Sequence, residues 1–313
     1  MNRQHHVHLG TLVGMSVGLA FAATPATPAQ IQAPMSSPSG PTTASVLAST
    51  KPVDWRPLDP ENTLYLELPG GRVVIEMAPA FAPQHVSNVK ALVREKYFDG
   101  LQILRVQDNY VAQWGDGNGD DPAKRRAIKE AKAALPAEFD QAMSPGLPFT
   151  ASPDGDVYAP ETGWSQGFPV ARDVKSGRAW ITHCYGTLGT ARGNDAGSGG
   201  GTQLFVIIGH SPRHLDRNDT AFGRVVKGIE HLSTLPRGTG ALGFYEKPEQ
   251  RTTITSIRVA ADVPAAERTA LEVLRTDTPS FASLIDARRT RSEEWFKNPA
   301  GRIEVCNVPV PTR

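Results

Sequence analysis

A mainly β fold is what this sequence of 313 residues predicts, on three observations. Short runs with a period of two recur at residues 64–68, 72–77, 101–106, 109–114 and 251–259, the spacing that sends alternate side chains to opposite faces of a strand. Turn residues punctuate them: Pro69, Gly70 and Gly71 join the first two, and Asp99 with Gly100 precedes the third. Helical periodicity is confined to a few segments, clearest at residues 86–96, where Val86, Val89, Leu92 and Val93 fall on one face.

Residues 1–23 read as an export signal. Arg3 supplies a basic start, an apolar run follows, and Ala20, Phe21 and Ala22 form a small-residue cleavage pattern. An uncleaved anchor fits less well, because the run is short and interrupted by Gly14 and Gly18. The expected location is therefore exported, periplasmic or extracellular, with no stable membrane insertion after cleavage. Residues 24–55 are rich in Ala, Pro, Ser and Thr and nearly uncharged before Lys51. Such composition buries too little apolar surface to offset ordering entropy, so a flexible linker is expected. Thirty-three basic residues against 32 acidic ones leave no net field to attract nucleic acid.

The strands at 64–68 and 72–77 are expected as a hairpin, followed by the helix at 86–96. The next stretch, residues 97–116, reads YFDGLQILRVQDNYVAQWGD. It gives a turn and two strands, from which Arg105, Gln113 and Tyr110 can project toward one spot. Taken alone, it reads better as two ordinary strands with one surface arginine.

Downstream stretches narrow the choice. GTLGTAR at 186–192, GTQLFVI at 201–207 and LDRNDTAFGRV at 215–225 follow in order. With the 97–116 stretch, these four motifs resemble the cyclophilin family of peptidyl-prolyl cis/trans isomerases, over roughly residues 60 to 260. The resemblance implies a closed eight-stranded antiparallel barrel capped by helices, with the site on its outer face. It implies that the chain accelerates rotation about X–Pro bonds and assists folding of exported proteins. The partners would be proline-containing peptides or unfolded protein chains, with no cofactor. Position by position, Arg105 and Gln113 match the catalytic residues. Tyr110, Val111, Ala191, Arg192, Gln203, Phe205 and Leu215 match the substrate-binding residues, and His214 and Asp219 fall on the rim. The sequence departs from the family pattern at four positions. Trp114 stands where glycine is usual, Leu204 where phenylalanine is common, His214 where many members carry tryptophan, and Asp219 where many carry histidine. A catalytically weak, cyclophilin-like module that binds proline segments is the competing reading.

The isomerase domain is expected at 56–262, with an insert at 117–185 and a helical C-terminal extension at 263–313. Within the insert, 123–135 is rich in Ala, Lys and Arg and predicts a helix, while 145–164 carries four prolines and predicts an irregular loop. The insert could roof the groove or simply decorate the surface. In the extension, 264–275 and 279–296 predict helices. Cys184 and Cys306 are the only cysteines and do not form a CxxC motif, so zinc is not indicated. After export the two are expected to pair. The acidic turn from Asp116 to Asp121 lacks the glycine and glutamate spacing of a calcium loop. The 197–201 glycines lack the Lys-Ser/Thr of a phosphate loop, and His183, His210 and His214 lack zinc-ligand spacing, so no metal is expected.

Overall fold

The computed structural model describes residues 40–119, 121 and 123–313. The expected export signal and the first part of the expected linker lie outside the described residues. In chain order the elements begin with α1 (Thr43–Ala48), β1 (Trp55–Pro57), β2 (Thr63–Leu68), β3 (Gly71–Met77), α2 (Pro83–Arg94), β4 (Gln102–Val106) and β5 (Val111–Gly115). Five strands follow within the insert: β6 (Gln141–Ala142), β7 (Thr150–Ala151), β8 (Glu161–Ser165), β9 (Phe168–Asp173) and β10 (Arg178–Ile181). Then come β11 (Thr187–Thr190), β12 (Gln203–Ile207), β13 (Ala221–Lys227), α3 (Glu230–Ser233), β14 (Ser256–Val259), β15 (Glu272–Leu274) and α4 (Pro279–Thr290).

Eight strands form one antiparallel sheet in the order β14-β2-β3-β13-β11-β12-β5-β4. Its concave face is the main core. Leu64, Leu66, Val73, Ile75, Ile103, Ala112 and Val206 point inward, and α2 adds Val86, Val89, Leu92 and Val93. The barrel is open, not closed as expected, because β14 and β4 are edge strands of the ladder. The seam is drawn together by one bridge, Gln102 to Thr253, and by the Ile103 N–H donating to Thr252 O and the Ile254 N–H to Leu101 O. The strand expected over 251–259 is shortened for the same reason. Thr255 N–H donates to Glu67 O, and regular pairing with β2 runs only from Ser256 to Val259, while 252–254 turn to the seam beside β4.

Two of the family departures are core substitutions. Trp114 and Leu204 are register partners on β5 and β12, and both point into the core. A large residue where glycine is usual faces a smaller one where phenylalanine is common, which holds the local volume roughly constant.

The insert differs most from expectation. Residues 123–135 contain no helix. Their backbone donors are taken by side chains of neighbouring elements: Glu95 accepts from Lys129, Glu130 and Ala131, Asn88 from Lys132, and Asp116 from Arg126. A helix would need several of those same N–H groups for itself. The expected loop at 145–164 instead holds β7 and most of β8, within a five-stranded sheet of order β6-β10-β9-β8-β7. Two-residue strands such as β7 are too short to show a period in sequence.

The ends of the described chain pack together. β1 pairs with β15, so 264–275 ends in a strand and not the expected helix. Its only helical turn is a 3-10 segment at Ala265–Glu267. The expected 279–296 helix stops at Thr290, with Arg291 in the left-handed conformation at φ 50°. Residues 40–55 are not the expected free linker. α1 buries Val46 in a cluster with Trp55, Trp164, Phe281, Leu284 and Val305. Cys184 and Cys306 form the expected disulfide, with Cα atoms 5.1 Å apart, and it ties the tail to the segment preceding β11.

Candidate functional site

Arg105 reaches the outer face of the sheet because of a β-bulge. Ile103 pairs with Trp114, but Arg105, not Leu104, pairs with Gln113. Strict alternation would send Arg105 to the same side as buried Ile103. The extra residue at 104 turns it outward, and Val106 returns to the core. Gln113 is in turn the register partner of Phe205, and Phe205 of Gly189. A row of Arg105, Gln113 and Phe205 therefore crosses β4, β5 and β12. Gly189 ends the row without a side chain, and the Phe205 ring lies so close that a Cβ there would sit 2.5 Å from its Cζ.

Beside this row is an apolar patch of Val111, Phe205 and Ile207, rimmed by Tyr110, Ala191 and Leu215. The His214 ring stacks parallel to Tyr110 at 6.5 Å. Gln113 is 6% exposed and fixed at both ends: its Oε1 accepts from Arg105 at 3.2 Å, and its Nε2 donates to Gln203 Oε1 at 2.9 Å. Gln203 passes the chain on to Asp116 O at 3.1 Å. The polar and apolar halves of the site thus abut at Arg105 and Tyr110, whose ring lies 5.5 Å from the guanidinium carbon. Burial lowers the guanidinium pKa, with Tyr110 opposing, and pushes the Tyr110 hydroxyl up.

The structure brings nine of the expected site residues together. Arg105, Gln113, Tyr110, Val111, Ala191, Gln203, Phe205, His214 and Leu215 gather here. Arg192 does not turn into the patch. Its guanidinium donates to Asn218 O and Gly193 O and lies over the Phe139 ring. Asp219 accepts from the Thr220 N–H, and burial pushes its carboxyl up to about 6 against the opposing charge of His183.

Four residues were missed. His183 stacks against Phe205 at 6.4 Å, and its Nδ1 meets Asp216 Oδ1 at 3.0 Å. Gln107 accepts from Arg105 Nη2, Leu242 O from Arg105 Nε at 2.6 Å, and the Phe244 ring lies 5.4 Å from the same guanidinium. The insert reaches the rim through Asp156. Arg213, next to His214, is buried with Asp156 of the insert, Asp216 of its own loop and Glu304 of the tail at 2.6–3.1 Å.

A family model described as cyclophilin type peptidyl-prolyl cis-trans isomerase matches residues 63–259. The chain belongs to the cyclophilin family. Peptidyl-prolyl cis-trans isomerisation is accordingly its activity. The chain is 30% identical over 199 residues to a probable peptidyl-prolyl cis-trans isomerase of Brucella suis, covering 61% of this chain and 81% of the relative. It is 25% identical over 171 residues to peptidyl-prolyl cis-trans isomerase B of Bacillus subtilis, covering 54% of this chain and 86% of that one. A crystal structure of the cyclophilin AquaCyp293 from Hirschia baltica is similar at a TM-score of 0.69 and 28% identity. It covers 87% of this chain and 97% of that one. The similarity to AquaCyp293 therefore extends beyond the 63–259 cyclophilin core.

Proposed function

We propose that this cyclophilin isomerises X–Pro bonds in unfolded chains outside the cytoplasm, with Arg105 as the catalytic donor. Rotation about the amide carries a barrier of roughly 18–20 kcal/mol and is slow unaided. It needs no nucleophile, proton transfer or metal. It needs the proline ring held and the twisted state favoured over both planar ones. The patch of Tyr110, Val111, Phe205 and Leu215 suits the ring. In the twisted amide the nitrogen regains its lone pair, and a fixed cationic donor then interacts with it more strongly than in either ground state.

The observation that carries this reading is the state of the Arg105 guanidinium. Three of its donors are engaged, by Leu242 O, Gln113 Oε1 and Gln107 Oε1. A guanidinium has five N–H groups, so each terminal nitrogen keeps one free. Those two are held in place beside the apolar patch. Gln113, tied to Gln203, would hold flanking peptide groups. The signal read at residues 1–23 supports action after export. So does the Cys184–Cys306 pair, a bond suited to an oxidising compartment.

The test is refolding of an exported protein whose slow phase is limited by proline isomerisation. Catalytic amounts of the mature chain should accelerate that phase. Binding of the unfolded chain without acceleration would support the binding-module reading instead. Fractionation of cells expressing the full chain tests export, and a cytoplasmic, uncleaved product would count against it.

A further inference from the structure

The segment from Pro236 to Glu246 is the part of the chain in closest contact with Arg105 that none of the four sequence motifs includes. It lies across β4 through backbone bonds, the Gly238 N–H donating to Val106 O at 3.0 Å and the Tyr245 N–H to Leu104 O at 3.1 Å, with a bridge between Arg105 and Phe244. These bonds flank the bulge that turns Arg105 outward. The loop is also closed on itself, the Gly240 N–H donating to Phe244 O at 3.0 Å and the Gly243 N–H to Gly240 O at 3.1 Å. The Tyr245 hydroxyl bonds Pro236 O across its neck.

Its tip is strained. Leu242 has φ 55° and Gly243 φ 78°, and only glycine adopts such values freely. That conformation presents the Leu242 carbonyl to Arg105 Nε at 2.6 Å. Gly243 packs so tightly on Gln107 that a Cβ would meet its Cα at 2.6 Å, and Gln107 is itself a partner of Arg105. The Leu242 side chain is 67% exposed and Phe244 38% exposed, so neither is held there by core burial.

We propose that the Leu242 carbonyl and the Phe244 ring are positioning groups for Arg105. The carbonyl fixes the inner edge of the guanidinium. The two rings of Phe244 and Tyr110, at 5.4 and 5.5 Å from the guanidinium carbon, restrict its swing. An arginine side chain otherwise loses considerable rotamer freedom when it must hold one geometry, and that cost falls on the rate. The loop removes it before substrate arrives. This inference rests on the reading of Arg105 as catalytic.

The test is a double-mutant cycle in a protease-coupled proline-peptide assay, with Phe244→Ala and Arg105→Ala singly and together. Phe244→Ala should lower kcat roughly 3- to 10-fold with KM little changed, an effect on the transition state alone. Phe244→Tyr should restore most of it. In the Arg105→Ala background, Phe244→Ala should have no further effect. Gly243→Ala, which keeps Phe244 but pushes the loop off Gln107, should reproduce the kcat loss and serves if Phe244→Ala folds poorly. Equal losses in both backgrounds, or a raised KM at constant kcat, would overturn the proposal by making Phe244 a substrate contact. Unchanged kinetics of Phe244→Ala would overturn it too. An Arg105→Ala single variant with full activity would instead sink the underlying reading, and the proposal with it.

Discussion

Asp219 offers a quantitative check on the rim of the pocket. Burial raises its carboxyl from the ordinary 3.8 to about 6. The folded pKa lies above the unfolded one, so between roughly pH 4 and pH 6 the native state holds more proton than the unfolded state. Stability therefore falls as pH rises through that window, and the loss is complete above it. Two pH units at ~1.4 kcal/mol each set an upper limit of ~3 kcal/mol for the cost of ionising this group in place. Asp219→Asn keeps the shape and removes the charge. The variant should match the wild type near pH 4 and exceed it by ~1–3 kcal/mol at pH 8, or ~2–4 °C in Tm for each kcal/mol in a chain of this size. Urea unfolding at intervals from pH 4 to pH 8 gives the difference curve. A parallel pH dependence in both proteins would refute the burial argument. A variant less stable at pH 8 would show instead that the carboxylate is held by a favourable pairing, with His183 the leading opposing charge.

Two further outcomes follow from contacts already described. Ser at both Cys184 and Cys306 should lower stability by ~2–4 kcal/mol, the usual range for a disulfide closing a long loop, here 122 residues apart, while isomerase activity at 25 °C is largely kept. Unchanged Tm in the double variant would contradict this. Gly189→Ala should push the Phe205 ring, now 2.5 Å from where that Cβ would lie, into the proline patch. The expected result is a raised KM with an overpacking cost of ~1–3 kcal/mol in stability, and peptide binding equal to wild type would show that the ring yields without consequence.

The legible parts of this protein are those written in short-range pattern. The β2–β3 hairpin and α2 could be read from turn residues and periodicity, and the site from four ordered motifs. Arg105 shows the limit of that reading. Its placement beside Gln113 was expected, but the simple alternation behind the expectation points it the wrong way, and a bulge at Leu104 that no local signal announced corrects it. Leu242 and Phe244 were invisible as site residues because they meet Arg105 across some 137 positions of sequence. The false helix at 123–135 fails for a related reason. Local propensity was favourable, but Glu95, Asn88 and Asp116 offer its N–H groups acceptors from elsewhere in the fold. Likewise the Ala/Ser/Thr-rich α1 gains its order from Trp55 and Phe281, which composition alone cannot show.

Arg105→Ala in the protease-coupled proline-peptide assay shows whether catalysis rests on the two free donors of a pre-set Arg105. A rate loss of roughly 10²–10³-fold is expected, comparable with removing one donor from an oxyanion hole, with peptide binding weakened far less and the melting temperature nearly unchanged. Full isomerase activity in that variant would contradict it.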